Sequence, residues 1–199
     1  MAHHRGRPQY HNPAVPGGVL TVPAIPTTVT MIGAGFVPAF RRVQQCGDFD
    51  CPFAVIAMIC GTTIEAVRDV AIRRFRHPVH GPYWITGDFI AQLLAHHGYN
   101  TGMYEEPASA SEIPDLAIAL VDYDELSNLG RHVLFHRARA SQDPGVKVEY
   151  VIDPAYWIEP HDYVRTSLPD IHWYMEVYPM GEYGSKVIML LNHTRKATT

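Results

Sequence analysis

The chain has 199 residues, and 47% of them are apolar, enough to enclose a core within one domain. With 16 Lys and Arg against 20 Asp and Glu the net charge is −4, and the arginines are scattered or confined to Arg41-Arg42 and Arg73-Arg74-Phe75-Arg76, so no basic face for nucleic acid is expected. No apolar run approaches the roughly 18 residues of a membrane span. His3–Pro8 leads into a polar arm rather than a secretory core, and an odd cysteine count suits free thiols in a reducing, cytoplasmic compartment.

In chain order, residues 1–17 read as a flexible arm, because Pro8, Pro13 and Pro16 discourage regular structure. Val19 to Phe36 is rich in Val, Thr and Ile and predicts one or two short strands. An apolar helix is expected from about Pro52 to Cys60, with Asp50 as its N-cap, Pro52 in its first turn and Gly61 as its stop. Thr62-Thr63-Ile64-Glu65 carries a capping-box signature for a second helix, with Ile64, Val67, Val70 and Ile72 as its buried stripe. Thr86 caps a third, which presents Phe89, Ile90, Leu93 and Leu94 and ends at Gly98. Beyond it the pattern turns to strands: Ala117–Val121, His132–His136, Val146–Ile152, Tyr174–Tyr178 and Lys186–Leu191. Helices followed by an antiparallel sheet predict an α+β domain of two packed layers over residues 18–192, with a tail at 193–199.

The chemistry centres on Gln45-Cys46-Gly47-Asp48-Phe49-Asp50-Cys51-Pro52-Phe53. Cys51 opens an apolar helix, where unpaired N–H groups and a partial positive charge favour the nucleophilic thiolate. Gln45, six residues earlier, is placed to donate a side-chain N–H to an oxyanion. Downstream, Gly130-Arg131-His132-Val133-Leu134-Phe135-His136 begins a β-prone run with His132, and Val148–Ile152 ends in Asp153-Pro154. Two adjacent antiparallel strands would bring His132 and Asp153 to one end of a sheet, as base toward Cys51 and as the acid fixing its tautomer.

Glutamine, Asp-Cys, apolar helix, Gly-x-His-hydrophobic and Asp-Pro, in that order, resemble the bacteriocin-leader-processing branch of papain-like cysteine peptidases. Gly81–Ile90, with Leu93-Leu94 and Gly98-Tyr99, is similar to that branch's helix between cysteine and histidine. The likeness runs over residues 43–158. It implies a papain-like fold, with the nucleophile helix packed on a C-terminal antiparallel sheet, and Gln45, Cys51, His132 and Asp153 as catalytic residues. It also implies a peptide or protein substrate, a bacterial or phage source and no cofactor or metal. Pro52 departs from the branch's usual Cys-Gly, and the chain carries neither the membrane spans nor the nucleotide-binding domain of the transporter-borne members. Free-standing relatives include proteases, glutamine deamidases and effectors delivered to a host cell. Two alternatives therefore stand beside proteolysis: a deamidase or transglutaminase-like effector on the same triad, and a catalytically idle interaction or assembly module.

Each assignment has a rival. Cys46 competes with Cys51, but no apolar helix starts directly after it, and Cys60 at the helix end reads as structural. Gln44 is one register from Gln45. His136 shares the face of His132 but sits about 13 Å further along the strand. His77-Pro78-Val79-His80 and His96-His97 lack the flanking ligands of a zinc site. Trp157 is a candidate cleft wall. Tyr104-Glu105-Glu106 and Asp122-Tyr123-Asp124-Glu125 read as loop faces that, if either lined the cleft, would favour basic substrate residues.

Overall fold

The computed structural model describes residues 36–80, 85–139 and 145–181. The arm at 1–17, the strands expected between Val19 and Phe36 (Phe36 itself excepted), the strand at Lys186–Leu191 and the tail at 193–199 lie outside the described residues.

Among the described residues three helices come first and six strands follow. In α1 (Cys51–Cys60) every residue from Cys51 to Ile59 is buried, so a sequence without a polar face forms a helix enclosed on all sides. Gly61 closes it in the left-handed region, φ 63°, with its N–H turned back on the last carbonyls. The expected Asp50 side-chain cap is not made. Asp50 already has helical dihedrals, φ −87° and ψ −4°, rather than the extended ones a capping side chain needs, and its carboxylate meets Arg68 at 3.5 Å.

Thr63 caps α2 (Ile64–Phe75), its hydroxyl accepting from the Ala66 N–H at 3.2 Å. Ile64, Val67 and Ala71 form the buried stripe; the i, i+3, i+7 progression reaches Ala71 and leaves Ile72 at the margin. Thr86 likewise caps α3 (Gly87–His96) through the Phe89 N–H at 3.3 Å, and Ile90, Leu93 and Leu94 turn inward.

The strands are β1 (Tyr99–Glu105), β2 (Leu116–Asp124), β3 (Leu129–Arg139), β4 (Lys147–Ile152), β5 (Val164–Arg165) and β6 (Ile171–Pro179). They form one antiparallel sheet in the order β1-β6-β2-β3-β4-β5. The architecture is α+β.

Alternation along each strand divides the sheet into two faces. Ile118, Leu134, Ile152 and Met175 face the helices and share a core with the side chains of α1, α2 and α3. Ala117, Ala119, Val121, Val133, Phe135 and Val151 face the other way and are covered by Ile113, Leu168 and Ile171. Among the described residues no helix is long and apolar enough to cross a membrane.

Candidate active site

The N-terminus of α1 meets the sheet at β3. There Cys51 Sγ lies 3.6 Å from His132 Nδ1 and accepts the His132 backbone N–H at 3.4 Å. The sheet register explains what surrounds the pair. Leu120 of β2 stands directly opposite His132 on one side and Trp173 of β6 on the other, so the three side chains project from the same face. With Cys51, Pro52 and Tyr104 they line a cleft of about 670 Å³.

The second imidazole nitrogen is also engaged: His132 Nε2 lies 2.8 Å from the Tyr104 hydroxyl. Tyr104 reaches it from β1, at the far edge of the sheet. Sequence reasoning puts Tyr104 on a loop face and gives it no role at the base; it lies instead in strand β1. The segment Tyr99–Glu105 holds a glycine and the polar residues Asn100, Thr101 and Glu105, and its pairing with β6 shifts between Thr101 and Tyr104, which breaks the alternation that marks a strand. Only the position directly after a helix-ending glycine and a first tyrosine hinted at an edge strand.

Asp153 is not brought to the imidazole, and the reason is parity. Leu134 pairs with Ile152, and both face the helices together with His132; the next residue, Asp153, falls to the side of Val151, Val133 and Arg131. Its wholly buried carboxylate accepts from Arg131 at 2.7 and 2.9 Å, from Arg165 at 3.1 Å and from the Ala155 N–H at 3.0 Å. Arg42 donates to the backbone carbonyls of Asp153 and Ala155. The Asp-Pro turn is thereby clamped from both sides, and it in turn holds the cysteine loop, because the Gln45 N–H donates to the Pro154 carbonyl at 2.8 Å.

Gln45 is buried. Its side-chain amide donates one hydrogen to the Gly47 carbonyl at 2.9 Å, and its buried Oε1 meets no partner among the described residues. A primary amide carries two hydrogens, so one remains for a second acceptor. Gln44, the neighbouring candidate, donates to the Tyr156 carbonyl at 3.1 Å.

Burial dominates the electrostatics and reverses one expectation. The Cys51 thiol is pushed up to about 11 by desolvation, which outweighs the His132 N–H and the Arg131 charge acting the other way. Desolvation pulls His132 down to about 4. Moving the proton from sulfur to nitrogen thus costs on the order of 10 kcal/mol at about 1.4 kcal/mol per pH unit. Pairing the resulting charges at the observed separation returns only about 5 kcal/mol at an effective dielectric constant of about 20. The resting pair is a thiol beside a neutral imidazole.

The rivals sit elsewhere. Cys46 is exposed, and Cys60 is pushed up to about 12 by burial alone. His136 Nδ1 contacts the Tyr150 hydroxyl at 2.8 Å, and its ring is edge-on to Phe40. The Trp157 ring lies 5.6 Å from the Arg131 guanidinium. Asp122 and Asp124 line the cleft together with Asp48, and Asp122 pairs with Arg131. Among the described residues no three His, Cys, Asp or Glu side chains gather as metal ligands would. No protein-family model matches the chain, and no curated protein matches its sequence at a significant level.

Proposed function

We propose that this chain is a papain-like cysteine hydrolase that cleaves amide bonds in peptide or protein substrates. The observation that carries the reading is the Cys51 Sγ–His132 Nδ1 approach of 3.6 Å at the mouth of a helix and in the wall of a cleft. As sulfur attacks the substrate carbonyl carbon, its proton passes to Nδ1, and the carbonyl electron pair moves to oxygen. The helix-terminal Cys51 N–H and the second amide hydrogen of Gln45 receive that oxyanion. The imidazolium then protonates the leaving amine as the C–N bond breaks. Water, giving a proton to His132, attacks the thioester and releases the acid, restoring the thiol. Carboxylates of Asp48, Asp122 and Asp124 in the cleft favour substrates with basic side chains.

The idle-module reading also has a specific observation behind it: the arginines occupy Asp153, and Gly47 occupies one hydrogen of the Gln45 amide. A peptidyl acyloxymethyl ketone, read by peptide mass spectrometry, separates the two. The hydrolase reading expects adduct on Cys51 that is lost in His132→Ala; an idle module gives none. Product mass spectrometry on glutamine-containing peptides distinguishes chain cleavage from side-chain deamidation.

A further inference from the structure

The geometry points to Tyr104 as the positioning residue of the base: its hydroxyl oxygen accepts the His132 Nε2–H and holds the imidazole in the tautomer whose Nδ1 lone pair faces Cys51. The inference rests on the cysteine-hydrolase reading above. A neutral imidazole carries one N–H and one lone pair, and only the tautomer protonated at Nε2 can take a proton from sulfur at Nδ1. The hydroxyl 2.8 Å from Nε2 is the contact at which the two tautomers differ, accepting from the Nε2–H of one and donating to the bare Nε2 of the other. The acid that could have filled this place is bound to Arg131 and Arg165 on the other side of the strand.

Tyr104 is itself held. Its strand position pairs with Met175, and its ring lies against the first turn of α3. A Cβ at Gly87 would stand 3.0 Å from Tyr104 Cε2 and 3.1 Å from Cδ2, so the ring is seated where only a hydrogen fits. Burial raises the phenol well above its ordinary range, so the acceptor is uncharged at every working pH. A neutral hydroxyl orients the ring without the charge that would hold an imidazolium at rest. The groups facing His132 agree with this. Cys51 approaches from α1 and Tyr104 from β1, Leu120 stands opposite on β2 with Trp173 one strand further on β6, and the charged groups of the cleft are Asp48, Asp122, Asp124 and Arg131.

The test uses the full chain with Tyr104→Phe, Gly87→Ala and His132→Ala, each checked by melting temperature. Cys51 alkylation by iodoacetamide is followed by peptide mass spectrometry, and the imidazole tautomer by long-range proton–nitrogen NMR. Tyr104→Phe should slow Cys51 at least about tenfold, at the low end of a general base's contribution. Its melting temperature should stay within about 5 °C, the cost of one hydrogen bond. The Nε2–H tautomer of His132 should lose its dominance. Gly87→Ala alters no site side chain chemically, pushes the Tyr104 ring by a few tenths of an ångström and should slow Cys51 in the same direction. Wild-type rate and tautomer in both variants, with loss in His132→Ala, would overturn the role of Tyr104 alone. Wild-type Cys51 reacting no faster than Cys60 would overturn the nucleophile reading and this proposal with it.

Discussion

Replacing Asp153 by Asn tests whether this residue acts on the imidazole or on the fold. The substitution keeps the size of the side chain but sets an amide against two guanidinium groups. Arg131 and Arg165 lose their partner at side-chain exposures of 20% and 34%, so water compensates only in part. Removing one partner of a fully buried pair costs about 3–5 kcal/mol, and the partial exposure of the arginines together with the remaining Arg131–Asp122 pair lowers this to about 2–4 kcal/mol. For a chain of this length that is a fall in melting temperature of roughly 4–16 °C, at about 2–4 °C per kcal/mol. Thermal denaturation followed by circular dichroism gives the shift, and Cys51 alkylation below the transition gives the site. The clamp role predicts a large thermal shift with the alkylation rate within about threefold of wild type, the small change expected of an electrostatic neighbour. An unchanged melting temperature with alkylation slowed more than about tenfold, as loss of a catalytic group would give, refutes the reasoning.

Two further outcomes follow from the cleft. His132 drops from an ordinary 6.5 to about 4 on folding, so its contribution is complete above pH 6.5 and is lost as pH falls through 4; Cys51 rises from 9.0 to about 11, so its contribution is complete below pH 9 and is lost as pH climbs through 11. Stability should therefore be level between about pH 6.5 and 9 in urea titrations, and His132→Gln should remove about 3–4 kcal/mol of the acid-side loss. For specificity, peptides with Lys or Arg near the scissile bond should outcompete Glu-containing ones, with an advantage that shrinks at high salt. Asp48→Asn combined with Asp124→Asn should erase that advantage in kcat/KM, while an undiminished preference contradicts an acidic wall that selects substrate.

Which residues were legible in the sequence follows from the range of the signals. Cys51 and His132 belong to elements with strong local signatures, an apolar helix start and an apolar, β-prone run, so each could be placed on its own element, although β3 begins three residues before His132. Their meeting needs only that α1 lie on the face of β3 that carries His132, Leu134 and His136. Asp153 depended on strand register, where one residue decides the face, and nothing local to Val148–Pro154 states whether Ile152 or Asp153 faces the helices. Tyr104 was hidden by the irregular pairing of β1, and β5 is too short at two residues to leave a pattern. The acidity of Cys51 was misjudged for another reason. A helix terminus is visible in sequence, whereas the complete enclosure of that terminus is a tertiary property, and desolvation outweighed the dipole.

The most direct test of the Cys51–His132 pair is the pH profile of Cys51 alkylation from pH 3 to 11, in wild type and His132→Ala, with Cys60 as the internal reference. A neutral imidazole acting as base predicts a rise through about 4, a level region across neutral pH that is slower in deuterium oxide, and a second rise toward 11. His132→Ala should keep only the alkaline rise, as Cys60 does. A wild-type profile with that single alkaline rise would contradict the account, leaving Cys51 an ordinary buried thiol.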